Sequence, residues 1–184
     1  MTSTISRKGV AQSLLARARS SLPAELESIA WLRGLDGEER ELALRDLKVV
    51  QVDAGELLCR VGRPATYWFG VIDGLLKMSN DTALGVPITF TGIPPGGWFG
   101  EGTVLKREAY RYNIQALRKS VVAGLSVPTF HWLLDRSIAF NRFIAQQLNE
   151  RLGQFIAARE IDRMTDADGR VARSLAALFH PVLY

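Results

Sequence analysis

Cysteine is almost absent: Cys59 is the only one in 184 residues. A single thiol excludes an internal disulfide, a four-cysteine iron–sulfur cluster and a zinc ribbon, and it fits a reducing, cytoplasmic setting. Histidine is nearly as scarce, with His131 and His180 alone. Neither falls in a segment that reads as strand, so the two or three histidines of a barrel-bound metal centre are not available and no cofactor is expected. Cys59 sits among Leu57, Leu58 and Val61 and reads as a small core residue, not as a partner of His131 in holding haem. No spacing suggests a Ser-His-Asp or Cys-His pair, and we expect no enzyme. The chain also lacks about 18 consecutive apolar residues and the apolar core of a signal peptide, so neither a membrane span nor export is expected. Charge of one sign is weak as well, at a net +4, which permits a nucleic-acid partner without arguing for one.

Glycine, in contrast, is plentiful and orders the chain into three regimes. Residues 1–23 form an N-terminal arm, with Leu14, Leu15, Ala16 and Ala18 among Arg7, Lys8, Arg17 and Arg19; we read it as frayed and not as a helix lying on a membrane. Residues 24–33 carry Leu26, Ile29, Ala30 and Leu32 at helical spacing and stop at Gly34. Asp36 with Glu39 makes a capping box for a second helix that turns Leu42, Ala43 and Leu47 inward.

From residue 48 the apolar period becomes two. Val50 and Val52 alternate with polar residues, Leu57 to Val61 follow a turn at Asp53-Ala54-Gly55, and Gly62-Arg63-Pro64 turns the chain again. Tyr67 to Ile72 run into Asp73-Gly74, the strongest short hairpin signal, and Leu75 to Ser79 are expected to return beside them. Asn80-Asp81 breaks that strand. Val86, Ile88 and Phe90 then alternate around Pro87, which implies an edge or a strand start. Tyr110 to Leu117 and Val121 to Val127 complete about eight short strands, the pattern of an antiparallel barrel or jelly roll in an α+β chain.

The third regime is helical. Pro128 opens a short helix with Phe130, Trp132, Leu133 and Leu134, and Ser137 caps one that runs to about Arg163, roughly 39 Å at 1.5 Å per residue. Ile144, Leu148, Leu152, Phe155 and Ile156 form its apolar stripe, and Gly153 would admit a second backbone. A barrel of this size covers only part of such a helix, so the stripe asks for a second copy. Asp166 caps a last helix bearing Val171, Ala172, Leu175, Leu178 and Phe179, and the chain looks cut after Tyr184.

Between the strands and the helices lies Pro95-Gly96-Gly97-Trp98-Phe99-Gly100-Glu101-Gly102-Thr103. A Gly-rich turn leading to a short helix with one carboxylate offers amides to an anion and an acceptor to hydroxyls. Trp98, with Tyr110 and Tyr112, could form an aromatic pocket for a planar or apolar effector. Trp31, Trp68, Trp98 and Trp132 read most simply as core or lid residues.

This order of elements resembles the Crp/Fnr superfamily of bacterial transcription regulators. Over about residues 29–180, Leu32-Arg33-Gly34-Leu35 looks like that family's opening, Gly55-Glu56 and Gly62-Arg63-Pro64 like its first turns, and Asp73-Gly74 like its hairpin. Phe99-Gly100-Glu101 is similar to its phosphate cassette, and Asp166 with Gly169-Arg170 to its interdomain joint. The resemblance implies a cyclic-nucleotide-binding-like roll (a double-stranded β-helix) over residues 24–136, a dimerisation helix over 137–164, and over 165–184 the start of a winged helix-turn-helix domain that would bind DNA. The expected partners are a second copy and, through that further domain, DNA.

The resemblance also frames the effector question. Members that bind cyclic AMP use the cassette's Glu for the ribose and an Arg on the next strand for the phosphate. Glu101 matches the first. For the second, alignment on Ala116-Leu117 places Tyr110, whereas counting from Glu101 places Arg111. Strand alternation puts Tyr110, Tyr112, Ile114 and Ala116 on the inner face and Arg111 outside. The Thr-Ser pair that such members offer to the purine is replaced by Phe155 and Ile156. The candidate effector pocket is therefore Phe99, Gly100, Glu101, Gly102, Thr103, Tyr110, Arg111, Tyr112 and Phe155, and we expect it not to bind cyclic AMP. The alternatives are a genuine cyclic-nucleotide site using Glu101 and Arg111, and a regulatory module of the kind fused to kinases or channels.

Overall fold

A computed structural model describes residues 16–81 and 87–177. Among them, nine strands form two antiparallel sheets. The first contains β1 (Arg19–Ser20), β2 (Lys48–Val52), β9 (Ser120–Ser126), β4 (Tyr67–Asp73) and β7 (Trp98–Phe99), in that spatial order. The second runs β3 (Leu57–Cys59), β8 (Asn113–Ala116), β5 (Leu76–Asp81), β6 (Pro87–Ile93). The helices are α1 (Pro23–Glu27), α2 (Gly37–Asp46), α3 (Glu101–Lys106), α4 (Val127–Arg136), α5 (Ile138–Asp162) and α6 (Ala167–Ala177), with a 3-10 turn at Ala30–Gly34.

Successive side chains of a strand point to opposite faces, and the first sheet uses both. Val50, Val52, Val71, Phe99 and Val122 face the roll interior, where they meet Leu76, Ile93, Ile114 and Ala116 of the second sheet. Val49, Trp68, Trp98, Ala123 and Leu125 face the other way into a layer closed by Trp31, Phe130, Leu133, Phe140 and Ile144. That layer is dominated by rings, with Trp68 and Trp98 centroids 4.3 Å apart and Trp31 and Trp98 5.3 Å apart. Trp98 lies flat over Gly70, its partner across the β4–β7 ladder, where even a Cβ would come within 2.2 Å of the indole.

Four local expectations change. The single helix over 24–33 is instead α1 and a 3-10 turn: Ser28 donates its hydroxyl to the Glu25 carbonyl at 2.6 Å, Ile29 is extended, and Ile29, Trp31 and Leu32 are buried together. The arm is not frayed throughout, because Arg19–Ser20 pairs with Val49 and Lys48, and Arg19 is ion-paired to Glu25; Leu14 and Leu15 lie outside the described residues. Asp73-Gly74 is not a hairpin. β4 and β5 belong to different sheets, and the turn carries the chain between them, held by Leu75 N–H on Ser120 Oγ at 3.2 Å and by Arg118 on the Gly74 carbonyl at 3.2 Å. Asn80-Asp81 does not end its strand either; β5 includes both and pairs Asp81 with Pro87 at the edge.

The long helix starts from a fixed point. Ser137 Oγ accepts from Phe140 N–H at 3.2 Å and donates to Glu39 at 2.7 Å, tying the start of α5 to α2, whose Asp36–Glu39 capping box is present. Phe140 and Ile144 then bury themselves against the aromatic layer. At 1.5 Å per residue the 25 residues of α5 extend about 37 Å, farther than the roll beneath them. Asp166 accepts from Gly169 N–H at 2.9 Å at the head of α6, whose Val171 and Leu175 are exposed; Leu178 and Phe179 lie outside the described residues.

Candidate functional site

The site forms where β7 becomes α3. Gly100 alone joins them, with φ at 88°, a left-handed conformation that L side chains avoid. This one-residue reversal swings Glu101 inward at the first position of α3, where it is 3% exposed. Gly100 also lies under two tyrosines: a Cβ there would approach Tyr112 Oη to 3.5 Å and Tyr110 Cε1 to 3.7 Å. Phe99, Gly100, Glu101, Thr103, Tyr110 and Tyr112 are thus brought together, with Gly102 second in α3 beside them.

The regular strand β8 begins only at Asn113, after a bend at Arg111 and Tyr112. Tyr110 is buried and donates to the Tyr67 carbonyl at 3.1 Å. Burial, then the neighbouring Cys59, drives its phenol far above the ordinary tyrosine range. Burial pushes Tyr112 up to about 12, partly opposed by a hydrogen bond from Thr103. Cys59 is pushed up to about 12 by burial. All three remain neutral at physiological pH. Arg111 stands apart, in solvent, paired with Glu108 at 3.1 Å.

The cation at Glu101 comes from elsewhere. Arg151, on the long helix, donates Nε–H to Glu101 Oε1 and Nη2–H to the Trp98 carbonyl at 2.5 Å. Glu101 Oε2 is buried and has no hydrogen-bond partner among the described residues. Arg151 was not among the expected site residues. Its only sequence signal is its place seven residues after Ile144, on the same inward line of the helix.

Three expectations for this region are corrected. Trp98 does not join Tyr110 and Tyr112: adjacent strand residues face opposite ways, so Phe99 enters the roll while Trp98 joins the outer layer of Trp31 and Trp68. The aromatic pocket of those three residues is absent. Ile144 is not part of an exposed stripe, since it is spent in its own domain's core. Phe155 does not line the Glu101 turn; it lies one helical turn beyond Arg151 and is 62% exposed. Leu148, Leu152 and Ile156 are also exposed, at 39%, 56% and 52%.

Among the described residues no helix is long and apolar enough to cross a membrane, and no group of three His, Cys, Asp or Glu could hold a metal ion.

Residues 49–137 match the cyclic nucleotide-binding domain family. No curated protein matches the chain. Among solved structures, the sensor domain of the transcriptional regulator DNR from Pseudomonas aeruginosa is 21% identical with a TM-score of 0.62, over 78% of this chain and 93% of that one. A protein of Eubacterium rectale assigned to the Crp/Fnr family of transcriptional regulators has a TM-score of 0.70 at 14% identity, over 82% and 71%. The regulatory domain of Toxoplasma gondii PKA, solved with cAMP, is 23% identical with a TM-score of 0.58, over 69% and 48%. At these identities the likeness is one of fold. Residues 49–137 thus match the cyclic nucleotide-binding domain family, and the structures of like fold include transcriptional regulators, one of them assigned to the Crp/Fnr family.

Proposed function

We propose that the chain is the effector-sensing and dimerising part of a Crp/Fnr-type DNA-binding transcription regulator, and that its pocket does not bind cyclic AMP. The observation that carries the second half is the fate of the arginines. Arg111 is in solvent with Glu108, and Arg151 is consumed by Glu101 and the Trp98 carbonyl, so neither is turned to a phosphate at the Gly100 turn. Two neutral tyrosines cover that turn instead. A cyclic phosphate brought there would lose its water and gain no cation, an unfavourable exchange for any charged group.

The dimer is supported by the overhang of the long helix. Leu148, Leu152, Phe155 and Ile156 leave a continuous apolar strip that no part of the described chain covers. A two-fold pairing of these strips would bury them and set the spacing of DNA-binding heads following the helix. In this reading a signal passes from the Glu101 turn to the helix and changes how the two copies cross. No reaction is assigned, and the action is cytoplasmic, on DNA.

Calorimetric titration with cyclic AMP and cyclic GMP tests the pocket, using the wild-type chain, Glu101→Ala and Arg111→Ala. We expect no heat at millimolar nucleotide. Micromolar binding abolished by both substitutions would overturn the reading and make the domain a genuine cyclic-nucleotide sensor in which Arg111 turns inward.

A further inference from the structure

Away from the Glu101 turn, one end of the roll gathers basic residues. Arg60 and Arg63 stand on the turn that leaves β3, closed by Arg63 N–H on the Arg60 carbonyl at 3.1 Å. Lys106, Arg107 and Arg111 lie on the stretch from the end of α3 to the start of β8. Backbone bonds hold the two stretches side by side: Gly62 N–H reaches the Tyr110 carbonyl at 2.8 Å, Tyr110 N–H reaches the Arg63 carbonyl at 2.9 Å, and Pro64 bridges to Ala109. All five basic residues are exposed. Against them the same end sets Glu108, already paired with Arg111, and Asp81, whose neighbour Asn80 donates to the Arg111 carbonyl at 3.1 Å. Residues 82–86, which follow, carry no charge. Among the described residues, Arg60, Lys106 and Arg107 enter none of the ion pairs.

Arg107 is the sharpest of these observations. It closes α3 with φ at 53°, the one non-glycine residue in the left-handed region among those described, at a position where a helix end ordinarily places Gly or Asn. Lys106, one residue earlier, already supplies the cation that a helix C-terminus favours, so the helix itself does not account for a second. Beside the cations lie Val61, 47% exposed, and the exposed Pro64 and Ala109. Paired backbones stand about 5 Å apart, within the roughly 8 Å over which charges in physiological salt act together. Arginine next to open aliphatic surface is the composition of a protein interface. A surface for nucleic-acid phosphates needs the cations and not the aliphatic floor.

We propose that this end of the roll is a docking surface for an acidic segment of a partner protein, one that sets an aliphatic side chain on Val61 and carboxylates on the arginines. A guanidinium takes a carboxylate through two parallel hydrogen bonds, which fixes the segment's direction as well as its charge. The surface belongs to a single roll, so the inference depends neither on the dimer nor on what the Glu101 turn binds.

The test uses the full chain and two fluorescein-labelled probes, a peptide of four Asp-Glu-Leu repeats and a DNA duplex of mixed sequence, titrated by fluorescence anisotropy. The peptide is expected to bind wild type, and to bind Arg60→Glu/Arg107→Glu roughly tenfold more weakly. Arg45→Glu/Arg142→Glu removes the same charge from exposed positions of α2 and α5 and should bind as wild type does. Val61→Ser should weaken binding about threefold, and serine in place of the peptide's leucines should weaken it by the same factor, a comparison that holds without any charge-reversed protein. No binding of the peptide by wild type would overturn the proposal. Equal losses in the two double variants would overturn it too, by reducing the effect to net charge. A duplex bound more tightly than the peptide, and released by Arg60→Glu/Arg107→Glu, would overturn it in favour of a nucleic-acid surface.

Discussion

In the dimer proposed above, replacing Leu152 by Asp should separate the two copies without unfolding the chain. Leu148, Leu152, Phe155 and Ile156 are between 39% and 62% exposed. Complete burial of such a side chain contributes about 1.5–3 kcal/mol, so covering the exposed half of each contributes about 1 kcal/mol, or about 8 kcal/mol for the eight residues of a symmetric pair. Association itself costs about 4–15 kcal/mol, so the strip sustains a dimer only with help from neighbouring contacts and has little to spare. An Asp at 152 removes about 1 kcal/mol of burial and adds about 1–2 kcal/mol for a carboxylate deprived of water. The two-fold axis doubles this to about 4–6 kcal/mol, which raises the dissociation constant by roughly 10³ to 10⁴. Sedimentation velocity over a concentration series reads that change directly. The fold should be spared, because position 152 is solvent-exposed within one chain, and the thermal midpoint extrapolated to the monomer should stay close to wild type. A Leu152→Asp variant that sediments as wild type does would refute the reasoning, since the strip would then contribute nothing to assembly.

Two further outcomes follow from the core. Gly70→Ala should destabilise by about 1–3 kcal/mol in denaturant titration, because its Cβ falls within 2.2 Å of the Trp98 indole and the ring has Trp68 behind it; a stabilised variant would show that the indole moves freely. Burial holds the Cys59 thiol at about 12 when folded, against 9.0 unperturbed. Its raised value means that the folded state keeps the proton: stability is unaffected below pH 9 and falls by up to about 1.4 kcal/mol per unit above it, until the folded group titrates near 12. Denaturation at pH 8 and pH 10 should therefore show a loss that Cys59→Ala lacks, and equal losses in both proteins would contradict it.

What the sequence made legible was local. Asp36 with Glu39, and Ser137 ahead of Phe140, announce their helix starts because a cap needs only residues three apart. The inward set Tyr110, Ile114 and Ala116 follows from alternation, even though the bend at 111–112 keeps Tyr110 out of the regular strand. Asp73-Gly74 misled because turn chemistry states that the chain reverses and not which strands then pair. That is decided by β9, which takes β4 into one sheet, and by β8, which takes β5 into the other. For Trp98 the core reading holds and the pocket with the tyrosines does not, as alternation with Phe99, one residue on, requires.

The long helix shows where periodicity stops being informative. Ile144, Arg151 and Phe155 occupy nearly one line of an α-helix, seven and then four residues apart, and a helical wheel gives them one fate. They meet three. Ile144 is sealed in the aromatic core, Arg151 reaches a carboxylate at the edge of the roll, and Phe155 projects into solvent. What distinguishes them is distance along the axis, set by where the roll beneath the helix ends, and that end is built from residues 98–101, about fifty positions earlier in the chain. An arginine on an otherwise apolar line is the trace the sequence keeps of such an edge. Buried among leucines it would be costly, and in open solvent it would need no partner, so its place on that line argues for a buried acceptor at that level of the helix.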